Sequence, residues 1–281
     1  MTVDVGGTVG ELAWGLGGIW PDEQWTGRLW YAGAELLAWA TLQRSPVQIT
    51  RPGEREVCPD TLDWQVDPAC SELLHDVLDW AEDESRDAVA TSVRAANQAA
   101  VVLIEERGYS VDDDAAWNLL NARSLNHVEE PVLPRGFELL TVAELKDVKK
   151  RVDVHRAAWE GSRMTVQRYE GVMGTWPYSP DLDCVVAGPA GEFVASALAW
   201  FDPDLVLGEL EPVGTHAGYR RRGLARAVNL FALQRLRDAG AEEAIVACRG
   251  DDDYPVPKTL YESVGFRELS RQVPYVKSLH A

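Results

Sequence analysis

The stretch Tyr219-Arg220-Arg221-Arg222-Gly223-Leu224-Ala225-Arg226 decides the fold of the second half of this chain. It follows an apolar segment and opens residues 224–239, where apolar positions recur at helical spacing. The first turn of a helix leaves main-chain N–H groups unpaired, and its dipole favours negative charge there. Gly223 permits close approach to the main chain, and the arginines offer forked cationic donors. The stretch therefore predicts a phosphate-binding loop, and the alternative is a solvated basic turn.

Regular structure is predicted on both sides of this loop. Strands are predicted at residues 137–142, 183–187, 192–201, 208–215, 243–249 and 266–276, and helices at 142–159, 165–173, 224–239 and 258–264. Strands and helices in this order predict a mixed sheet with helices packed against it. Strand-to-loop-to-helix binding of phosphate fits such a sheet.

The first half of the chain repeats this order more weakly. Strands are predicted at 29–31, 35–42, 62–66 and 88–92, and helices at 71–81 and 97–106. Two prolines and a glycine interrupt regular structure in residues 129–136, which places the predicted domain boundary near residue 132. The self-similarity indicates duplication. The first copy lacks the arginine loop, because Val66-Asp67-Pro68-Ala69-Cys70-Ser71 stands in its place.

The charge of the chain bears on its partners. The formal net charge of −18 argues against non-specific nucleic-acid binding and mildly favours a cationic or amine substrate. Residues 1–132 hold 24 acidic against 8 basic side chains and no lysine, whereas residues 133–281 hold 21 and 19. A polyanionic cofactor is therefore expected on the second half.

Neither a metal site nor a membrane segment is predicted. The four cysteines, Cys58, Cys70, Cys184 and Cys248, lack the close pairing of a zinc or thiol–disulfide centre and are expected to be reduced thiols. No apolar run approaches the roughly 20 residues of a membrane span. The expected location is the cytoplasm, with no membrane partner.

The second half resembles the GNAT superfamily of acyl-CoA-dependent N-acyltransferases. The family's central motif is Arg or Gln, two variable residues, Gly, one variable residue, then Gly or Ala, and Arg220 to Ala225 match it. A second motif, Leu260-Tyr261-Glu262 followed by Gly265-Phe266, lies about thirty-five residues downstream. The resemblance implies an α/β (α+β) chain of two GNAT-like domains, each a mixed, mostly antiparallel central sheet flanked by helices. Residues 1–132 would be a degenerate domain and residues 133–281 the catalytic one.

The same resemblance implies a co-substrate and the residues that hold it. Acetyl-CoA, or another acyl-CoA, would bind without a metal, with its pantetheine at main-chain groups near Val213 and Thr215. Its pyrophosphate would lie on the loop, at Arg220, Arg221, Arg222, Gly223, Leu224 and Ala225.

Catalysis in this family is direct attack of a primary amine on the thioester. Glu209, eleven residues before Arg220, matches the position that supplies the general base. Glu211 lies on the same face of an ideal strand and is the alternative base. Tyr261 matches the tyrosine that protonates the leaving thiolate. The alternatives are that the glutamates are solvated strand residues and the tyrosine packs in the core.

Several alternatives stay open at this point. Tyr254 and Pro257 depart from the family pattern, and with the degenerate first half they motivate a second hypothesis, a non-catalytic acyl-CoA-binding module or sensor. The amine is a small molecule or a peptide, and the chain a monomer or homodimer. The tryptophans of the first half are expected to fill cores or interfaces, with a stacking role in a substrate pocket as the alternative. They include Trp14, Trp20, Trp25, Trp30 and Trp39.

Overall fold

The computed structural model describes residues 8–17, 24–44, 48–51, 54–56, 58–145, 147–250 and 254–280. Trp20 lies outside the described residues. The chain divides into two compact units. Unit 1 takes Trp20–Leu119 and Ser270–Ala281, and unit 2 takes Thr8–Ile19 and Leu120–Leu269.

These units differ from a single division at residue 132. The chain passes from unit 1 to unit 2 between Leu119 and Leu120. The N-terminal segment Thr8–Ile19 belongs to unit 2, and the C-terminal segment from Ser270 belongs to unit 1. Each of these terminal segments belongs to a unit whose other residues are distant from it in sequence. The local pattern of Pro and Gly around residue 132 therefore could not predict the assignment of either segment.

The helices and strands are named in chain order. The first half contains α1 (Val9–Gly17), β1 (Gln24–Ala32), β2 (Glu35–Arg44), β3 (Gln48–Arg51), β4 (Glu54–Glu56), β5 (Asp60–Val66), α2 (Leu73–Glu84), β6 (Ala88–Arg94), α3 (Gln98–Glu106), β7 (Ser110–Val111) and β8 (Asn118–Ser124). The second half contains β9 (Glu138–Thr141), α4 (Val142–Leu145), α5 (Val148–Ala158), α6 (Val166–Met173), β10 (Asp183–Ala187), β11 (Phe193–Asp202), β12 (Leu207–Thr215), α7 (Leu224–Ala239), β13 (Glu243–Arg249), α8 (Val256–Ser263) and β14 (Arg267–Ser278). Short 3₁₀ turns at Pro68–Cys70 and Ala217–Tyr219 precede α2 and α7.

Unit 1 is built on a sheet with strand order β1-β2-β5-β6-β14, to which β7 adds by pairing with β14. Strands β5 and β6 are parallel, and the other described pairs in this sheet are antiparallel. Helix α2 buries Leu74, Val77, Leu78 and Ala81, which recur at helical spacing and face the sheet. Strands β3 and β4 form a separate hairpin.

Unit 2 is built on a sheet with strand order β8-β13-β12-β11-β10-β9. Strands β9 to β12 pair antiparallel, whereas β12 and β13 are parallel. Helix α7 buries its apolar stripe against β10, β11 and β12 and ends at Gly240, whose φ of 112° lets the chain leave the helix. The predicted fold class, a mixed and mostly antiparallel sheet flanked by helices, is confirmed.

Most predicted elements are present with shifted ends, and β10, α7 and β13 have the predicted bounds. The predicted helix at 142–159 is interrupted between α4 and α5. Helix α1 and strand β8 were not predicted. Among the described helices, none has the length and apolarity needed to cross a membrane.

Candidate active site in the second unit

The arginine loop connects β12 to the N-terminus of α7. Arg221 and Gly223 both have left-handed backbone conformations, with φ of 62° and 79°. Within the described part of the chain, the main-chain N–H groups of residues 221–225 donate to no other group. A Cβ added at Gly223 would meet no atom within 4 Å, so the space in front of the loop is open. Unpaired N–H groups facing open space at a helix N-terminus fit a phosphate group.

The arginines of the loop have different surroundings. Arg220 donates from Nη2 to the Ala158 carbonyl (3.1 Å) and from Nε to the Thr215 carbonyl (3.3 Å), so its guanidinium holds the loop to α5 and β12. Arg222 lies over the Tyr219 ring, 5.1 Å from its centroid. The side chain of Arg220 thus positions the loop, although the sequence placed it among the cofactor-binding residues.

Strand β12 separates from its parallel neighbour next to this loop. The pairing with β13 runs from Leu207 to Glu209, and beyond Glu209 the described register pairs β12 only with β11. The β11 register shifts between Ala197 and Ala199, which face Val213 and Leu210, so β12 carries one extra residue there. The main chain around Val213 and Thr215 therefore pairs with β11 on one side, and no described β13 residue pairs with it on the other.

Glu209 is held by the N-terminal turn of α1. Its Oε1 accepts a hydrogen bond from the Thr8 hydroxyl (2.5 Å), and its Oε2 accepts from the Gly10 N–H (3.0 Å). A Cβ at Gly10 would overlap with Glu209 Oε2 and with Trp200 Cδ1, so only glycine allows this approach. Both carboxylate oxygens of Glu209 are thus engaged by a segment some two hundred residues away in sequence.

Glu211 faces a cavity of about 400 Å³ in unit 2. The same cavity is lined by rings from two helices, Trp14 of α1 and His155 of α5, together with Trp159 at the end of α5. A cavity of this size can hold a small organic molecule. Glu211 is the predicted site residue that lines this cavity, whereas Glu209 is enclosed behind it.

The two glutamates share a buried environment that favours their protonated forms. Burial, opposed by the Thr8 hydrogen bond and reinforced by the Glu11 charge, raises the pKa of Glu209 to about 7. Burial, with the charges of Glu209 and Glu11, raises the pKa of Glu211 to about 8. Carboxyl groups with pKa values near neutrality are suited to accept and release protons.

Tyr261 is buried on α8 and packs edge-on against Phe266, with centroids 5.9 Å apart. Burial, and then the charges of Glu211 and Cys248, raise the pKa of its hydroxyl well above the usual value. The phenol therefore keeps its proton at neutral pH and is a donor. Because the Glu211 charge raises the pKa of the Tyr261 hydroxyl, α8 interacts electrostatically with the bulged part of β12.

The sequence reasoning missed Thr8 and Gly10 at the start of α1 and His155 and Trp159 at the end of α5, whereas it named Trp14 as a stacking residue in the alternative to core packing. One signal for α1 was available: Thr8 followed by Glu11 is a capping-box spacing, and the Glu11 N–H donates to Thr8 Oγ1 (3.3 Å). No local pattern shows that α1 belongs to unit 2. Across the described ranges of the chain, no group of three or more His, Cys, Asp or Glu side chains is placed to hold a metal ion.

Comparison with known proteins identifies the domain that carries this site. The model of the acetyltransferase (GNAT) family matches residues 151–266, which include β12, the arginine loop, α7 and Tyr261. Residues 151–266 form a GNAT domain. No curated protein sequence matches the chain significantly.

Solved structures show that the fold around the GNAT domain extends over most of the chain. A tandem GNAT protein from the clavulanic acid biosynthesis pathway has a TM-score of 0.66 at 12% identity, over 93% of this chain and 85% of that one. A GCN5-related N-acetyltransferase from Sphaerobacter thermophilus has a TM-score of 0.64 at 18% identity, over 88% and 78%. One from Kribbella flavida has a TM-score of 0.55 at 19% identity, over 89% of both chains. At these identities the likeness is one of fold.

Proposed function

We propose that the GNAT domain transfers an acyl group, most simply acetyl, from an acyl-CoA to a primary amine. The observation that carries this proposal is the arginine loop, whose unpaired N–H groups from Arg221 to Ala225 face open space at the start of α7. The splay of β12 away from β13 beside this loop supports a place for the pantetheine arm near Val213 and Thr215. When bound, the acyl-CoA supplies a thioester carbonyl as electrophile and a thiolate as leaving group.

We assign the general base to the pair Glu209 and Glu211, with Glu211 as the member that meets the amine. The support for this choice is that Glu211 lines the cavity, whereas Thr8 and Gly10 occupy the carboxylate of Glu209. Glu209 then acts as a fixed negative charge that raises the proton affinity of Glu211. The sequence had favoured Glu209 as the base and Glu211 as the alternative.

The proton balance of the reaction follows from these assignments. The Glu211 carboxylate takes a proton from the ammonium group of the acceptor, so that the amine lone pair is free to attack the acyl carbon. The C–N bond forms and the C–S bond breaks. The Tyr261 hydroxyl, which is protonated at neutral pH, gives its proton to the departing sulfur, and the second proton that the nitrogen loses on forming the amide returns to the Tyr261 oxygen.

We further infer that residues 1–132 are a degenerate GNAT-like domain and that residues 133–281 are the catalytic one, with α1 contributed to the catalytic domain from the N-terminal segment. The order β5, 3₁₀ turn, α2, β6, α3 repeats as β12, 3₁₀ turn, α7, β13, α8. The first copy carries Asp67 and Pro68 where the second carries its arginines.

The test is an assay of the purified chain with acetyl-CoA and a panel of primary amines, monitoring thiol release and confirming the acylated amine by mass spectrometry. We expect amine-dependent thiol release together with micromolar binding of CoA. Tight CoA binding with no acylated product would support the non-catalytic acyl-CoA-binding sensor instead. No CoA binding at all would contradict both functions.

A further inference from the structure

The acceptor cavity has one wall made of three neighbouring rings. The centroids of His155 and Trp159 are 4.5 Å apart with planes 28° from parallel, a stacked pair. Trp14 lies 5.4 Å from His155 at a tilt of 50°. All three residues line the cavity of about 400 Å³. An aromatic wall of this kind favours a flat apolar ligand, because ring faces and edges attract one another beyond simple burial.

The wall lies against the strand that carries the proposed base. A Cβ at Gly214 would overlap with Trp159 Cζ3, so the indole packs directly on the β12 main chain just beyond the bulge. Glu211 and Pro212, immediately before it, line the same cavity. The rings and Glu211 therefore border one cavity, in which a ligand can meet both.

The wall carries no positive charge at neutral pH. Burial, together with the nearby charges of Arg151 and Arg168, lowers the pKa of His155 to about 4, so the imidazole is neutral. Neutral aromatic rings attract an ammonium group, and the Glu211 carboxyl provides its acceptor. The protonated amine that must enter the cavity before deprotonation is therefore attracted to both sides of it.

Other charged groups that line the cavity are Glu160, Arg163 and Arg168. Both arginines already interact with other groups of the chain. An additional carboxylate on the acceptor would have to compete for them and would lie near Glu160 and Glu211. This favours an acceptor whose only charge is its ammonium group.

We propose that the acceptor of this site is an arylalkylamine, a primary amine carried by a short chain on an aromatic ring, with its ring against Trp14, His155 and Trp159 and its amino group at Glu211. The inference rests on the proposed acyl transfer and adds the class of amine to it.

The experiment compares primary amines that differ in the group carrying the amine: 2-phenylethylamine and tryptamine have an aromatic ring, and n-butylamine has an alkyl chain. Phenylalanine is included as the carboxylate-bearing counterpart of phenylethylamine. We expect kcat/KM for the two aryl amines to exceed that of butylamine and of phenylalanine at least tenfold. Transfer to butylamine with equal or greater efficiency would overturn the aryl class while leaving the acyltransferase function intact. A preference for phenylalanine would overturn the restriction to amines without a carboxylate.

Two variants tie this preference to the wall. Trp14→Leu and Trp159→Leu should each lower the ratio of kcat/KM for phenylethylamine to kcat/KM for butylamine at least tenfold. Trp176→Leu is the matched control, because Trp176 is 65% exposed and does not line the cavity. Unchanged aryl preference in both wall variants would contradict the assignment.

A binding measurement keeps the inference testable when no amine is acylated. By calorimetry, phenylethylamine should bind the wild-type chain at least tenfold more tightly than butylamine, and either wall variant should remove the difference. Equal binding of the two amines overturns the inference. Absence of acylation with this binding preference present contradicts the proposed reaction alone.

Discussion

Two parallel strand pairs, one from each unit, have the same number of paired residues but are followed by different side chains. In unit 1, β5 pairs with β6 from Asp60 to Leu62, and in unit 2, β12 pairs with β13 from Leu207 to Glu209. Each first strand then leads through a 3₁₀ turn into a helix that packs on its own sheet. The backbone plan is the same, so the chemistry of each site depends on a few side chains placed after the last paired residue.

The residue two positions beyond the last pair is Trp64 in unit 1 and Glu211 in unit 2. Trp64 Nε1 donates to Thr91 Oγ1 (3.1 Å), and this hydroxyl donates to the Leu62 carbonyl (2.8 Å). The indole thus bridges β5 and β6, and the cavity that it lines has about 40 Å³. At the corresponding position in unit 2, Glu211 borders about 400 Å³.

The loops differ in the same sense. In unit 1 the Asp67 carboxylate accepts a hydrogen bond from the Ala69 N–H (2.7 Å), so a protein carboxylate occupies the start of the turn. In unit 2 a neutral ring caps the corresponding turn, since His216 Nδ1 accepts a hydrogen bond from the Gly218 N–H (3.0 Å), and the N–H groups of residues 221–225 beyond it donate to no other described group. A carboxylate at that place would repel a phosphate, whereas free N–H groups attract it. The comparison teaches that two similar backbone plans carry different side chains and hydrogen bonds after their last paired residues.

The largest effect is expected from a substitution that removes the Glu211 carboxylate. Glu211→Gln should lower kcat about 10²–10⁴-fold, since the amide cannot accept the ammonium proton. The measurement is steady-state acetyl transfer at pH 8. Trp64→Phe, at the equivalent position of unit 1, should leave kcat and the KM for acetyl-CoA within twofold. If Glu209→Gln abolishes transfer and Glu211→Gln retains most of it, the base is Glu209.

A smaller effect is expected from the loop. Gly223→Ala should weaken acetyl-CoA binding about tenfold, or about 1.4 kcal/mol, because it strains the left-handed backbone and places a methyl group in the space proposed for the diphosphate. Calorimetric titration measures this change. Gly108→Ala is the matched control in unit 1, since Gly108 has φ of 85° and equally open space around it. Both variants should lose similar stability, and equal losses of CoA affinity would contradict the assignment of the loop.

The smallest effect concerns pH. The base acts in its ionised form and its pKa is raised, so kcat/KM should rise with pH through about 8 and not fall again below the high pKa of Tyr261. Thr8→Val removes a hydrogen bond that stabilises ionised Glu209, so the pKa of Glu209 should rise and its repulsion of Glu211 should weaken. The midpoint of the profile should therefore move to lower pH. Glu11→Gln removes a second charge that raises the pKa of Glu211, so it should shift the midpoint in the same direction.

If both variants leave the pH profile of kcat/KM unchanged, the two glutamates and α1 are not coupled in the reaction. Binding of CoA, measured alongside, should be unaffected in either variant. A loss of CoA binding would instead indicate that α1 stabilises the whole of unit 2.

The sequence by itself determined the local elements and the cofactor side of the site. Apolar spacing predicted the bounds of α7. The run from Arg220 to Ala225 predicted a loop with unpaired N–H groups, because a helix start and its unpaired N–H groups are local properties. The resemblance to the GNAT superfamily likewise indicated Glu209 and Tyr261, and strand alternation added Glu211. Their distinct roles could not be read from spacing, because both glutamates occupy one face of an ideal strand.

Only the tertiary structure decided the environments of those side chains. The clamp on Glu209 and the ring of Trp14 come from α1, and the remaining rings of the wall come from the end of α5. The exchange of terminal segments between the units likewise follows from packing of residues distant in sequence. The physical reason is that hydrogen-bond propensity and apolar periodicity act over a few residues, whereas burial, pKa and cavity shape depend on which distant segments pack together.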